Sequence, residues 1–367
     1  MKLDIIIHGN SNHTGFGIHC RNLLKALTIA KKKVAFVPIQ PMTHQLVDTD
    51  CIKDTLDNQR YITGNEPALM VYHASHMIKF CGQPRMGYAI FETDVIPEHE
   101  IALYKTLDQV LVPSEWGRNV LVANGINYKE NGFPEQLDSI KVVPEGYDHT
   151  CFNVTQVPEE IIHRARQRGY WSFLHVGKYE ERKSTNTILE AFKIAVEQTG
   201  VPAILNAKIE NPFDVDANKN ISFALTGDKD IRLWSGQQVT DAEMARFYHE
   251  SDFGLYASKG EAWGLPILES IACGLPTITS NWTGMSEYLK GYPDGLIVGT
   301  GNQAKADDGK FFRGDRGCWY VPDKEDLIER IKFVLRDAEQ IYRHLRVSCV
   351  DAVKGYTWEN AVKELNL

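Results

Sequence analysis

Residues 252–279 read DFGLYASKGEAWGLPILESIACGLPTIT. The apolar stretch Asp252–Tyr256 predicts a buried strand, a loop of small and polar residues follows it, and Pro266 suits the first turn of a helix. The segment Thr277–Thr279 predicts a second strand, because β-branched residues favour strands. A strand, a loop, a helix and a strand in this order are typical of a βαβ unit in a parallel sheet.

Beyond this unit, short β-branched runs alternate with longer patterns of helical periodicity, as in sheets built from βαβ units. In the first half we predict strands at Leu3–His8, Val34–Pro38, Leu69–Tyr72, Gly87–Phe91, Gln109–Val112 and Ile140–Val143, and helices at Gly17–Ala30, Pro97–Thr106 and Ser114–Asn124. In the second half we predict further strands at Phe173–Val176, Ala203–Asn206 and Ile231–Ser235, and helices at Ser184–Gln198, Asp241–Glu250, Pro266–Cys273 and Lys324–Leu335. The turn-forming segment Pro144–Val157 separates the two series. The sequence therefore predicts an α/β protein with two Rossmann-like, doubly wound parallel-sheet domains, at residues 1–157 and 158–339.

The composition fits an ordinary folded protein, since 43% of the 367 residues are hydrophobic, 24% are charged and the mean hydropathy is −0.30. The net charge of 40 − 48 = −8 argues against a surface that is basic throughout, as a general nucleic-acid or anionic-lipid binder requires. No stretch approaches the roughly 18 apolar residues of a bilayer span, so we expect no transmembrane segment. Seven widely spaced cysteines without a C-x-x-C pair favour a reducing, cytoplasmic location.

Three loops at the predicted carboxyl ends of strands are candidate ligand sites, because open α/β sheets bind ligands there. The first loop, HGNSNHTGFG at residues 8–17, contains Gly15, Phe16 and Gly17. Its glycines allow a ligand to approach the backbone, and the helix that follows leaves N–H groups free to face an anion. The same residues also suit an ordinary tight turn, and this loop alone leaves both interpretations open.

The second loop, GKYEERKS at residues 177–184, places Gly177 and the lysines Lys178 and Lys183 before a helix that we expect Ser184 to cap. Two lysines around a glycine turn at a helix start favour an anion site. A solvated, charged turn is the alternative, because two glutamates lie among the basic residues.

The third loop leads into the helix that Pro266 begins. Glu261 lies in the approach loop and Glu269 about one turn into the helix, and the free N–H groups around Trp263, Gly264 and Leu265 point toward the same space. Two carboxylates beside a helix N-terminus are costly unless hydroxyl groups and a phosphate occupy the site.

The segment from Glu261 to Glu269 matches the E-x7-E motif of the retaining glycosyltransferases of family 4 (group 1), which the chain resembles over nearly its whole length. The loop from Gly177 to Lys183 is similar to the diphosphate loop of that family, and HTGFGIH, VLVPSEWGRNVL, VVPEGYDHTCF and TDAEMARFYHESD occur in the same order. The resemblance implies the GT-B fold, in which two Rossmann-like domains face each other across a cleft. It also implies that the C-terminal helix, within 340–367, packs back on the first domain.

The same resemblance implies roles for single residues. Glu261 would accept hydrogen bonds from the donor sugar and Glu269 from the nucleotide ribose. Lys178 and Lys183 would hold the diphosphate, while Gln238 and Val239 would contact the base. Lys178 replaces the commoner arginine and supplies a point charge instead of a bidentate fork.

Glu92 marks a departure from the common family pattern. It occupies the position after the fourth strand where family members often carry a histidine near the reacting sugar, as in a subset of relatives that read FET. A carboxylate there could orient a sugar hydroxyl, stabilise positive charge at the anomeric carbon or act as a base. A structural cap on the following turn is the alternative.

The resemblance therefore implies a retaining glycosyltransferase that needs no metal or other cofactor and uses a UDP- or GDP-linked sugar donor. A glycan or lipid-linked precursor is the expected acceptor. Transfer to hydroxymethylated DNA bases is an alternative, and so is a non-catalytic nucleotide-sugar binder or a GT-B epimerase. The sequence assigns no oligomeric state.

Overall fold

The chain is described by a computed structural model that covers residues 1–40, 49–126, 140–236 and 239–367. Up to Asp148 its elements are β1 (Ile5–Gly9), α1 (Gly15–Ile29), β2 (Val34–Pro38), α2 (Thr49–Asp57), β3 (Ala68–Val71), β4 (Arg85–Tyr88), α3 (Glu98–Tyr104), β5 (Gln109–Val112), α4 (Glu115–Ala123) and β6 (Ile140–Val142). Next come α5 (Pro158–Arg168), β7 (Trp171–Lys178), α6 (Thr185–Thr199), β8 (Ala203–Glu210), α7 (Val215–Ala224), β9 (Ile231–Trp234), α8 (Asp241–Glu250), β10 (Phe253–Leu255), α9 (Leu265–Ala272) and β11 (Thr277–Ser280). The chain ends with β12 (Ile297–Val298), β13 (Thr300–Lys305), β14 (Cys318–Pro322), α10 (Lys324–His344), α11 (Arg346–Val353) and α12 (Trp358–Glu364).

The first compact unit comprises Met1–Asp148 and Tyr356–Leu367. Its six strands are all parallel, in the order β2-β1-β3-β4-β5-β6. The central strands β1 and β3 are buried throughout, as expected of a parallel sheet that is covered on both faces. Helix α12 packs against α1, where the Trp358 ring meets the His19 ring edge-on at 4.9 Å.

The second compact unit comprises His149–Gly355 and contains another parallel sheet, in the order β12-β11-β10-β7-β8-β9. Strands β7 and β8 pair over their full length, from Trp171 opposite Ala203 to Lys178 opposite Glu210. The loops after β7 and β10 leave the sheet side by side, because these two strands are neighbours. This topology brings the second and third candidate loops together.

A two-stranded antiparallel hairpin, β13–β14, follows the last strand of the second sheet in the sequence and pairs Ala304 with Trp319. The sequence analysis did not predict it, because the exposed residues of β13, TGNQAK, lack the alternating apolar pattern of a strand. The backbone N–H of Tyr320 in β14 donates to the carbonyl of Lys259, at 3.1 Å. The hairpin is thus hydrogen-bonded to the loop that carries Glu261.

The predicted fold class is confirmed, with two Rossmann-like parallel sheets and flanking helices. Helix α5 was missed, although Pro158 in its first turn and the left-handed Gly169 after its last residue are the usual signals of a helix. The helix predicted at Lys324–Leu335 continues to His344, with non-helical backbone at Asp337 (φ −116°, ψ 22°). The compact units divide after Asp148 and Gly355, and the predicted domain boundaries after residues 157 and 339 stay predictions.

In the part of the chain that the structure describes, every helix is too short or too polar to cross a membrane.

The start of α1 offers a direct test of the packing of the first loop. A Cβ at Gly17 would lie 2.2 Å from Oδ1 of Asn12, whereas a Cβ at Gly15 would have no neighbour within 4 Å. We expect Gly17→Ala to lower the free energy of unfolding by about 1–3 kcal/mol through overpacking. Gly15→Ala should raise it by about 0.4–1 kcal/mol by restricting the unfolded chain. Urea unfolding measures both, and equal losses in the two variants would contradict the observed packing.

Candidate active site

The second candidate loop begins inside β7, which extends two residues beyond its predicted end because β8 pairs with it as far as Lys178. The ammonium group of Lys178 lies 3.2 Å from Oε2 of Glu180. A Cβ at Gly177 would meet only the Lys183 side chain, at 3.7 Å, so packing among the described residues tolerates a larger side chain there. The predicted role of Gly177 in an anion site stays a prediction.

Glu261 follows β10 and is 4% exposed. Its backbone N–H donates to Oγ1 of Thr283 at 3.0 Å, and its carbonyl accepts from the N–H of Gly284, also at 3.0 Å. A Cβ at Gly284 would lie 1.7 Å from the carbonyl oxygen of Ala262, so only glycine permits this approach of the two backbones. The backbone of the Glu261 loop is therefore held from the β11 side of the sheet.

Five side chains from the two loops form an alternating series of charges, which we call the charge chain: Lys178, Glu180, Arg182, Glu261 and Lys183. Arg182 is 5% exposed and donates through Nη1 to Oε2 of Glu261 at 2.8 Å. Its Nη2 donates to Oε1 of Glu180 at 2.6 Å. Lys183 Nζ donates to Oε1 of Glu261, at 2.6 Å. Three cations thus share two carboxylates, which leaves one excess positive charge.

Both carboxylates of the charge chain keep their negative charge at neutral pH. Burial alone would raise the pKa of Glu261, but Arg182 and Lys183 outweigh it and lower that pKa to about 2. Burial opposes ionisation of Glu180 as well, and Arg182 and Lys178 again lower its pKa. The site therefore holds fixed charges rather than a proton donor at these two positions.

His175 lies in β7 and connects the surrounding elements without charge. Burial lowers its pKa to about 4. Its Nδ1 is 3.0 Å from the carbonyl oxygen of Leu255, which can only accept, so Nδ1 carries the proton. Nε2 then accepts from Oγ1 of Thr185, at 3.1 Å. This neutral imidazole joins β7 to β10 and to the first residue of α6.

Glu269 lies in α9 and is nearly buried. Its Oε2 accepts a hydrogen bond from the hydroxyl of Tyr248 at 2.9 Å, across from α8. The predicted helix-start residues are also in place: Gly264 has φ +89° at the N-cap, and Leu265 begins the helix. The carbonyl oxygen of Trp263 accepts from the hydroxyl of Tyr288, at 3.0 Å. The loop before α9 is thus fixed by aromatic hydroxyl groups.

The first candidate loop belongs to the other compact unit. There Gly15, Phe16 and Gly17 form the first turn of α1, and the Phe16 ring contacts His73 edge-on at 4.7 Å. Oδ1 of Asn12 accepts from the backbone N–H of Thr14 at 3.0 Å, which shapes the turn. The role of these residues toward a donor stays a prediction.

Glu92 lies in the same unit, in the coil after β4. The strand predicted to run to Phe91 ends at Tyr88, the last residue of β4 that pairs with β5. Glu92 is half-buried, and its role stays a prediction.

Val239 directly precedes Thr240, the N-cap of α8, and its predicted contact with the base is untested. Gln238 lies outside the described residues.

Comparisons with known proteins find similarity to glycosyltransferases. Residues 158–309 match the family model described as Glycosyl transferases group 1. The putative glycosyltransferase 48 of the Sulfolobus islandicus filamentous virus is 28% identical over 120 residues, which are 31% of this chain and 38% of that protein. The D-inositol 3-phosphate glycosyltransferase of Arthrobacter sp. is 26% identical over 175 residues, which are 44% of this chain and 38% of that protein. The alignments thus span about two fifths of the length of these two curated relatives.

A solved structure, HepE from Anabaena in complex with UDP and glucose, matches with a TM-score of 0.63. The match covers 100% of this chain and 98% of that chain, at 11% identity, and it shows that the fold is GT-B. The family match lies within the second compact unit, so membership of the whole chain in the group 1 glycosyltransferases and its transferase activity are proposals. Its family 4 assignment and its retaining chemistry stay proposals.

Three features of the site were not predicted. Arg182 joins the two loops, but the sequence analysis assigned it no role, because it weighed only the two lysines of its loop as an anion site or a solvated turn. Tyr248 was treated as part of a helix motif and not as a partner of Glu269. The predicted cap by Ser184 is wrong, because this residue has φ +52° and its side chain does not accept from the helix. Its Oγ is buried and has no hydrogen-bond partner among the described residues.

Removing the Arg182 guanidinium should leave the buried negative charges of Glu180 and Glu261 with less positive charge to compensate them. We expect Arg182→Ala to lower the free energy of unfolding by about 3–5 kcal/mol. Arg166→Ala is the matched control, because Arg166 forms two 2.8 Å hydrogen bonds to the carboxylate of Glu339 at the surface. It should cost less than about 1 kcal/mol. Urea unfolding compares the two variants. A similar loss in free energy of unfolding for both would show that burial does not strengthen the contribution of the Arg182 ion pairs.

The lowered pKa of Glu261 predicts a pH dependence of stability. Because its pKa falls from 4.5 to about 2 on folding, the ionised carboxylate stabilises the folded protein above about pH 4.5. This contribution is lost as the pH falls from about 4.5 toward 2. The difference in free energy of unfolding between the wild type and Glu261→Gln should therefore narrow from about pH 6 to pH 3. A constant difference would show that Glu261 is not held ionised.

Proposed function

We propose that the chain is a retaining glycosyltransferase of family 4 that moves a sugar from a UDP- or GDP-linked donor to a hydroxyl acceptor without a metal. The charge chain carries this proposal, because it keeps an excess cation at the carboxyl ends of β7 and β10. A diphosphate supplies the negative charge that such a site lacks.

The diphosphate would bind between Lys178, Lys183 and the start of α6. This helix has 15 residues, and its first N–H groups favour an anion. The buried Ser184 hydroxyl lies at the same helix start and has no partner among the described residues, so it offers one more donor. Cation, helix N-terminus and hydroxyl together support a phosphate at this position.

Catalysis would follow from where negative charge develops. Breaking the bond between the sugar and the phosphate leaves that charge on the diphosphate, so fixed cations stabilise the transition state more than the ground state. The acceptor hydroxyl would attack the face from which the diphosphate departs, and a departing phosphate oxygen would take its proton. The anomeric configuration is retained in this scheme, and the cations do the work that a metal ion does elsewhere.

The remaining residues would bind the rest of the donor. Glu261 would accept from sugar hydroxyl groups and Glu269 from the ribose, while Val239 would contact the base. Glu92 and the turn of Gly15, Phe16 and Gly17 would also contribute to binding of the donor. The UDP complex of HepE supports a nucleotide diphosphate in this fold.

The acceptor would be a hydroxyl group of a glycan or a glycolipid precursor. The name of the Arthrobacter relative supports a small polyhydroxylated acceptor. The cytoplasmic location predicted from the sequence stays a prediction.

The deciding experiment uses the purified chain with UDP- and GDP-sugars in buffer containing a chelator. NMR of the anomeric proton identifies the linkage in the product. Release of nucleoside diphosphate together with an α-linked product from an α-linked donor would support retention without a metal. Binding of nucleotide-sugar without any release or transfer would identify a binder instead. Loss of slow donor hydrolysis in Glu92→Gln would place this carboxylate at the reacting sugar.

The position of the diphosphate is tested by thermal shift. A nucleoside diphosphate at ten times its dissociation constant should stabilise the wild type by about 1.4 kcal/mol. Lys183→Ala should lose this shift, because it removes a cation from the proposed site. Lys354→Ala is the matched control, since Lys354 pairs with Asp351 at the surface of the same unit and should keep the shift. Circular dichroism confirms that both variants are folded, and a shift retained by folded Lys183→Ala would place the diphosphate elsewhere.

A further inference from the structure

Two exposed phenylalanines lie beside Lys178. Phe213 is 61% exposed and Phe311 is 49% exposed, and their ring centroids are 5.5 Å apart in an edge-on arrangement. The Lys178 ammonium lies 5.5 Å from the centroid of Phe213 and 5.3 Å from that of Phe311. Both distances are within the range of cation–π attraction. Neither ring is needed for the core, so packing alone does not explain them.

The loop between β8 and α7 holds Phe213 in place. The backbone N–H of Phe213 donates to Oδ1 of Asn211 at 3.0 Å, and this hydrogen bond forms a local turn. Nδ2 of Asn211 donates to the carbonyl of Tyr179, also at 3.0 Å, and so joins this loop to the residue after Lys178. The Phe213 ring therefore has a defined position relative to the end of β7.

The β13–β14 hairpin supplies Phe311 from its connecting loop. The neighbouring Lys310 forms an ion pair with Asp214, the residue after Phe213. Phe312, on the other side, packs edge-on against Trp319 of β14 with ring centroids 5.0 Å apart. The Lys310–Asp214 ion pair and the Phe312–Trp319 ring contact thus hold the two phenylalanines close together.

The hairpin also contacts the loop that carries Glu261. The carbonyl of Lys259 accepts from the N–H of Tyr320 in β14, and the N–H of Lys259 donates to the carbonyl of Arg182 at 2.7 Å. The hairpin therefore contacts the loop of Glu261 and the side chain of Lys178, and Lys259 joins the loop of Glu261 to that of Arg182. The hairpin therefore borders the proposed donor site.

We propose that Phe213 and Phe311 are positioning residues that hold the Lys178 ammonium for the donor diphosphate, an inference that rests on the proposed function. The carboxylate of Glu180 pairs with Lys178 and is shared with Arg182. A ring face attracts a cation through its quadrupole and adds no negative charge. The rings therefore restrict the long lysine side chain while its charge stays available to a phosphate.

Isothermal titration of UDP and GDP into the wild type and the Phe213→Leu/Phe311→Leu double variant tests this inference. Leucine keeps an apolar side chain but removes the ring faces, so we expect affinity about five- to thirtyfold weaker, from two cation–π contacts. Phe223→Leu is the matched control, because Phe223 is 85% exposed on α7. It should bind both nucleotides as the wild type does.

A merely structural role of the two rings would weaken binding whether or not residue 178 is a lysine. The same leucine pair is therefore combined with Lys178→Met, where it should cause less than about a twofold further loss. An undiminished loss in that background, or wild-type affinity of the leucine pair, would overturn the inference. Replacing Phe311 with phenylalanines of increasing fluorination keeps the shape of the ring and should weaken binding stepwise.

The two proposals fail in different ways. Absence of UDP and GDP binding to the folded wild type would overturn the proposed function and the inference with it. Binding that depends on Lys183 but is indifferent to both rings would leave the proposed function standing and would overturn the inference alone.

Discussion

The buried ion pair between Arg182 and Glu261 is the contact on which the second unit's site depends. Moving two charges out of water is costly, and only close, well-oriented hydrogen bonds offset that cost. Here both terminal nitrogens of the guanidinium group are used, Nη1 on Glu261 and Nη2 on Glu180. The pair joins the loops of two neighbouring strands, and so the sheet order β10-β7 is a condition for its existence. A fold that separated these strands would leave each charge buried without its partner.

The same contact determines what the site can bind. With both carboxylates ionised and engaged, the excess charge resides on the lysines at the two ends of the charge chain. The neutral side chain of His175 in β7 adds no charge of its own and only orients Thr185 at the start of α6. The site therefore presents cations and helix N–H groups, which is the chemistry that an anion requires. A substrate without a phosphate would leave that charge uncompensated.

Periodicity predicted the sheets because it reflects burial, which is a local property of sequence. Val34–Pro38 and Gln109–Val112 have in the structure the bounds expected from their β-branched runs. Pro266 at the helix start placed Glu261 in the loop and Glu269 in the helix, whereas the E-x7-E motif that pairs them came from the resemblance to a known family. What the sequence could not reveal were contacts between distant segments. The partner of Arg182 is 79 residues away, and Tyr248 and Glu269 lie 21 residues apart on different helices. Ser184 failed as a predicted cap because its left-handed backbone, unusual for serine, has no local sequence signal.

Under the proposed function, the two lysines differ in how freely they can respond to a donor. Lys183 contacts the carboxylate that would bind the sugar, so it must share or release Glu261 when the diphosphate arrives. Arg182 keeps the other carboxylate oxygen and prevents Glu261 from losing its orientation during that exchange. Lys178 is held less tightly by its carboxylate, because its ammonium lies 3.2 Å from Glu180, whereas that of Lys183 lies 2.6 Å from Glu261. Its other contacts are ring faces, which compete with a phosphate far less than a carboxylate does. One lysine would thus couple diphosphate binding to release of the sugar-binding carboxylate, while the other would be ready before the donor binds.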